Sequence, residues 1–127
     1  MRQFKFPKKE RLSKEKDIQE LFKKGSSFYL FPFKILFLPQ ATTAEPMRIL
    51  ISVSKKNFKA SPDRNRIKRR IREGYRLNKH ILPPGSSGKI GFIYTHKEIL
   101  PGPEISEKMV HALRKLSRLM LVNPGTS

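Results

Sequence analysis

Apolar residues recur along this chain in two periods, and the two alternate. Ile18, Leu21 and Phe22 fall at i, i+3 and i+4, which predicts a helix over 14–24, with Ser13 placed to cap it and Gly25 to stop it. The stretch SFYLFPFKILFL, residues 27–38, reads as a strand that Pro32 interrupts, either as an edge or bulge or by splitting it in two. After a PQATTAEP loop, MRILISVS (47–54) is a strand, and KIGFIYTH (89–96) is another. Between them Ser61, Pro62 and Asp63 mark a helix start: a capping hydroxyl, a proline tolerated in the first turn and an acid at the positive dipole end. That helix runs to about residue 79, before PPGSSG. Ile105, Met109, Ala112, Leu113, Leu116 and Met120 then form one stripe of a final helix over 104–121. The order is αββαβα, or αβββαβα with the first strand split, an α/β sandwich of a few strands covered by helices.

Alternation within the strands separates two faces. Phe33, Ile35 and Phe37 alternate with Lys34, Leu36 and Leu38, and the lysine marks the second set as the open face. Likewise Ile49, Ile51 and Val53 face one way while Leu50, Ser52 and Ser54 face the other.

Charge changes the picture. The 127 residues carry 28 Lys and Arg against 10 Asp and Glu, a net +18, which repels itself on compaction and so calls for a polyanionic partner. Half of that excess, +9, lies between Lys55 and His80. On a helical wheel of 61–79, Ile67, Ile71, Gly74 and Tyr75 form an apolar stripe, and Lys68, Arg69, Arg72 and Arg76 cluster opposite it. A merely solvated helix interleaves acids with its bases; inside this ridge only Glu73 is available. Uncompensated guanidinium groups suit phosphate, which they grip bidentately without losing their charge. Asn65 is neutral among arginines: it is either a helix-end asparagine or a group for a base edge, a 2′-hydroxyl or a metal-bound water.

ISVSKK followed by DRNRIKRRIRE closely resembles the signature of the bacterial ribonuclease P protein component, and RLSKEKDIQELFKKG resembles that family's N-terminal helix. The resemblance covers about residues 11–120. It implies an α+β fold, a two-layer α/β sandwich of the ribosomal-protein-S5-domain-2-like kind, order αβββαβα, with a left-handed βαβ crossover against the usual handedness. Residues 1–12 would be a basic flexible segment, 13–122 one RNA-binding domain and 123–127 a tail. The resemblance also implies a subunit that partners a catalytic RNA and binds the 5′ leader of precursor tRNA, while RNA-bound Mg²⁺ performs the chemistry. Arg64, Asn65, Arg66, Lys68, Arg69 and Arg72 inherit the motif's RNA contacts, with Lys55, Lys56 and Arg76 beside them. The family's leader cleft lies between the first helix and the open face of the sheet. Here Lys34, Leu36, Ser52 and Ser54 would floor it and Ile18 and Phe22 wall it, with Phe22 either a stacking surface or plain core. Leu50 stands where the family often has glycine, and the family's aromatics are missing at Leu36 and Ile18, so leader binding should lean on charge more than on stacking.

Other chemistries find no support. The absence of cysteine excludes disulfides and thiolate zinc sites. The ten acids are scattered, His80, His96 and His111 have no ligand spacing, and no Walker, G-x-S-x-G or H-E-x-x-H motif occurs. Without an apolar span or signal-like start, a cytoplasmic location is expected. The competing readings are a ribosomal or RNA-chaperone protein and a DNA-binding regulator. The second lacks the preceding helix and short turn of a helix-turn-helix.

Overall fold

The computed structural model describes residues 11, 12, 14–40 and 46–122. The elements are α1 (Glu15–Lys24), β1 (Ser26–Leu30), β2 (Phe33–Pro39), β3 (Arg48–Val53), α2 (Ser61–Asn78), a 3-10 turn at Lys79–Ile81, β4 (Gly88–Tyr94) and α3 (Gly102–Val122). Pro32, after a cis peptide bond from Phe31, does split the first apolar run, which becomes the β1–β2 hairpin. The sheet order is β1-β2-β4-β3. Its first two pairings are antiparallel; β3 and β4 run parallel and are joined by the α2 crossover.

The alternation in the strands decides the layers. Phe33, Ile35, Ile49, Ile90 and Phe92 project from one face and are buried against Ile67, Ile71 and Tyr75 of α2 and the stripe Ile105–Met120 of α3. Each such aliphatic or aromatic side chain contributes about 1.5–3 kcal/mol by leaving water, so this face holds most of the core. Both helices therefore lie on one side of the sheet. Gly74 lets them approach: a Cβ there would stand 3.3 Å from Met109 Cβ. Arg70 ties the layer together, donating from Nη1 to Leu100 O at 2.6 Å just before α3.

α1 occupies the other face. Leu21 is fully buried over Leu36 and Leu12, with Ile18, Leu38, Leu50 and Ile93 around them. Gly91, between Leu36 and Leu50 in register, makes room for Leu21, whose Cδ2 would lie 3.2 Å from a Cβ at that position.

Two helix caps differ from expectation, at α1 and α2. Of the expected N-terminal segment, residues 1–10 lie outside the described residues, while Leu12 is buried and donates its N–H to Ile49 O at 2.8 Å and Arg11 bridges to β3. Ser13 and residues 123–127 lie outside the described residues; Lys14 occupies the α1 N-cap without a side-chain cap. Ser61 is not the α2 cap either: Ala60 holds that position, and the Ser61 hydroxyl instead accepts a hydrogen bond from Arg64.

Candidate nucleic-acid interface

α2 presents the basic ridge as its wheel predicts. With Ile67, Ile71, Gly74 and Tyr75 buried, Asn65, Arg66, Arg69 and Arg72 are exposed and Lys68 is half-buried. Arg72 is pushed below the usual arginine range by burial and by the neighbouring cation Arg11, so the ridge continues toward the β3 edge. Arg76 is paired with Glu73; their hydrogen bond raises the arginine and lowers the carboxylate. The ridge is thus partly neutralised at Arg76.

Arg64 takes a different role from its neighbours. Its Nη1 donates to Phe58 O at 2.7 Å and Lys59 O at 2.9 Å, and its Nη2 to Ser61 Oγ at 2.9 Å. That guanidinium is committed to fastening the preceding loop to the start of α2. Lys55 and Lys56 are exposed in the turn after β3, where Lys56 N donates to Ser54 Oγ at 3.0 Å. The Ser54 hydroxyl therefore organises this turn.

The open face is built from cross-strand rows. Leu38, Lys89 and Arg48 are in register, and Asp17 and Glu20 of α1 sit over them. Arg48 Nη1 donates to Asp17 Oδ2 at 3.2 Å, Lys89 Nζ lies 3.6 Å from Asp17 Oδ1, and it also donates to Glu20. The Lys89 hydrogen bond and charge hold the Glu20 carboxyl below its ordinary range. The next row, Ser27, Leu36, Gly91 and Leu50, lies under Leu21. Leu36, expected as accessible floor, is only 5% exposed, because Leu21 and Leu12 cover it.

The row after that is more open: Tyr29, Lys34, Ile93 and Ser52, one residue from each strand, of which Tyr29 and Lys34 are exposed, Ser52 is half-buried and Ile93 borders the Leu21 cluster. Three inter-strand spacings make it about 14 Å long. α1, whose ten residues span about 15 Å, crosses the strands from Asp17 near Arg48 on β3 to Gly25 near Phe37 on β2. With Asp17 and Glu20 on one flank of the helix, the 100° spacing puts Ile18 and Phe22 on the other, along this row. Phe22 is 51% exposed, so it is not core. The expected Ile18, Phe22, Lys34 and Ser52 therefore border one trough. Tyr29 was missed because β1 shows no clear amphipathic alternation, and Lys89 because its partners lie on a distant helix.

Among the described residues no group of three or more His, Asp or Glu gathers where it could hold a metal ion, and no helix is long and apolar enough to cross a membrane.

Residues 6–117 match the model of the family described as Ribonuclease P. The chain belongs to that family. It is 33% identical over 115 residues to the ribonuclease P protein component of Picosynechococcus, covering 91% of this chain and 90% of that one. Its match to the component of Porphyromonas gingivalis is 40% identical over 80 residues, but spans only 58% of that relative's length. Among solved structures, the RNase P protein of Staphylococcus aureus aligns with a TM-score of 0.71 at 28% identity, over 84% of this chain and 94% of that one. The protein from Thermotoga maritima gives 0.70 at 31%, over 84% and 96%. The mixed four-stranded sheet with its helices is the ribonuclease P protein fold.

Proposed function

We propose that this chain is the protein subunit of a ribonucleoprotein endoribonuclease, ribonuclease P. It binds the catalytic RNA and the 5′ leader of precursor tRNA and assists removal of that leader to give the mature 5′ end. The observation that carries the reading is the pairing of two surfaces in a member of this family: a ridge of exposed, mostly uncompensated cations on α2, and a trough on the sheet's opposite face. Arg66, Lys68, Arg69 and Arg72, with Lys55 and Lys56, would contact phosphates of the folded RNA, giving affinity without sequence reading. Ile18, Phe22, Lys34 and Ser52 would border a single strand, combining an aromatic face with a cation as single-strand sites do.

In this reading catalysis belongs to the RNA; among the described residues no group of three or more His, Asp or Glu gathers that could hold a metal ion. Mg²⁺, held mainly by the RNA, would supply activation of water and charge stabilisation at the phosphodiester. The chain's contribution to that centre is positioning; Asn65, exposed on the first turns of α2, can accept a hydrogen bond from a metal-bound water or an RNA hydroxyl. This reading puts the protein in the cytoplasm with its RNA partners.

The test is cleavage of precursor tRNA by a bacterial ribonuclease P RNA at low Mg²⁺, with and without the protein, on substrates with long and absent leaders. A leader-dependent gain supports both surfaces. A gain that ignores the leader keeps the RNA partner and discards the trough. No gain, with tight binding to unrelated RNAs, favours a ribosomal or chaperone role instead.

A further inference from the structure

The Tyr29–Lys34–Ile93–Ser52 row ends on β1 in an aromatic ring that the core does not use. Phe28 and Leu30, its sequence neighbours, turn to the other face and pack there, whereas Tyr29 is 60% exposed. Its hydroxyl lies 3.5 Å from Thr95 Oγ1, the outer limit of a hydrogen bond, so the ring is loosely oriented rather than packed. A lone exposed tyrosine needs no explanation. This one has Lys34, also exposed, directly opposite in register, and shares the trough with Phe22, exposed on the facing flank of α1. Phe31 and His96, at the same corner of the sheet, are engaged with each other edge-to-face at 4.9 Å and are not part of the row. Two open aromatic faces and a cation along about 14 Å are what an unstacked single strand requires: rings for bases and an ammonium for phosphate.

We infer that Tyr29 is a stacking platform for one unstacked base of the single-stranded 5′ extension, at the point where that strand leaves the trough over the β1 edge. The inference rests on the proposed reading of the trough as the leader site. Direction follows from the sheet order. β3 leads through Ser54 and Lys56 toward α2 and its ridge, and β1 is the opposite edge. A strand held at the ridge side therefore reaches Tyr29 last. Every base has a π face, so the platform is indifferent to sequence but demanding of length.

The experiment uses holoenzyme reconstituted with wild type, Tyr29→Thr, Tyr29→Ala, Tyr29→Phe and Phe22→Ala, and precursor tRNAs whose leaders lengthen one nucleotide at a time. Threonine preserves strand propensity at this edge position, so at least one ring-less variant folds, which melting curves check. Both ring-less variants should weaken substrate binding by roughly five- to a hundredfold, in KM rather than in kcat, and only once the leader is long enough to cross to β1. Tyr29→Phe should bind as wild type does. Equal leader-length profiles for wild type and the ring-less variants overturn the inference. If Phe22→Ala alone then loses leader binding, the trough survives without Tyr29; if Phe22→Ala also changes nothing, the trough reading falls as well. A loss in Tyr29→Phe as large as in Tyr29→Thr would assign the effect to the hydroxyl and end the stacking argument.

Discussion

Lys89 Nζ, on a lysine only 4% exposed, lies 3.6 Å from Asp17 Oδ1 and also donates to Glu20, so one buried ammonium clamps two of the three acids of α1 to the sheet. The helix that walls the trough is thereby held from the flank away from it, leaving Phe22 open while Ile18 packs beside Leu21. Replacing both acids, Asp17→Asn with Glu20→Gln, leaves Lys89 buried without a counter-charge. The double variant should melt several degrees lower, and its α1 amides should exchange faster than those of Glu15→Gln, read by hydrogen exchange.

The same clamp is pH-dependent. The Lys89 hydrogen bond holds Glu20 below its ordinary value of 4.5. Its stabilising contribution is therefore complete above about pH 4.5 and is lost as pH falls through the lowered value. Acidification in that window should loosen α1 before the sheet melts, and Glu20→Gln should remove the step. Proteolysis of α1 across pH 3–6 (about pH 4.5 at its centre) would reveal it.

Within the arginine motif, variants should separate by what each guanidinium already holds. Lys68→Ala and Arg72→Ala should leave the melting temperature nearly unchanged, weaken RNA binding and lower the salt slope by about one each. Arg64→Ala should instead cost about 1 kcal/mol of stability, because it releases two carbonyls and a hydroxyl of the α2 entry, partly solvent-screened. Thermal melts paired with salt-dependent titrations distinguish them.

Glu73 tempers the ridge through its pair with Arg76. Glu73→Gln should tighten RNA binding several-fold at low salt and lose that advantage as salt rises, since the effect is one added net charge. Binding isotherms at two ionic strengths suffice.

Ile71, fully buried beneath the ridge, sets the opposite extreme. Ile71→Asp places an unpaired carboxylate in the core and should abolish the cooperative folding transition, as followed by circular dichroism.

How much of this was legible beforehand varies by element. The α2 stripe Ile67, Ile71, Gly74 and Tyr75 and the α3 stripe from Ile105 to Met120 are buried as the periodicity requires. The strand faces follow as well, with Phe33 and Ile35 inward and Lys34 outward. These are local properties: a period of 3.6 or 2 points each side chain before any neighbour is known. Even the clamp left a trace, since Asp17 and Glu20 share a helical flank and Lys89 alternates with Ile90 on its strand, but nothing local joins them.

The sequence by itself therefore determined the elements, their apolar faces and the cationic ridge, because each depends on spacing within one segment. Register and layer order belong to the tertiary structure alone. Only strand pairing puts Tyr29, Lys34, Ile93 and Ser52 in one row. Only the docking of α1 hides Leu36 and leaves Phe22 open. And only the path of the loop before α2 turns Arg64 inward, since a guanidinium at the end of a long flexible side chain takes whichever carbonyls the fold brings within reach.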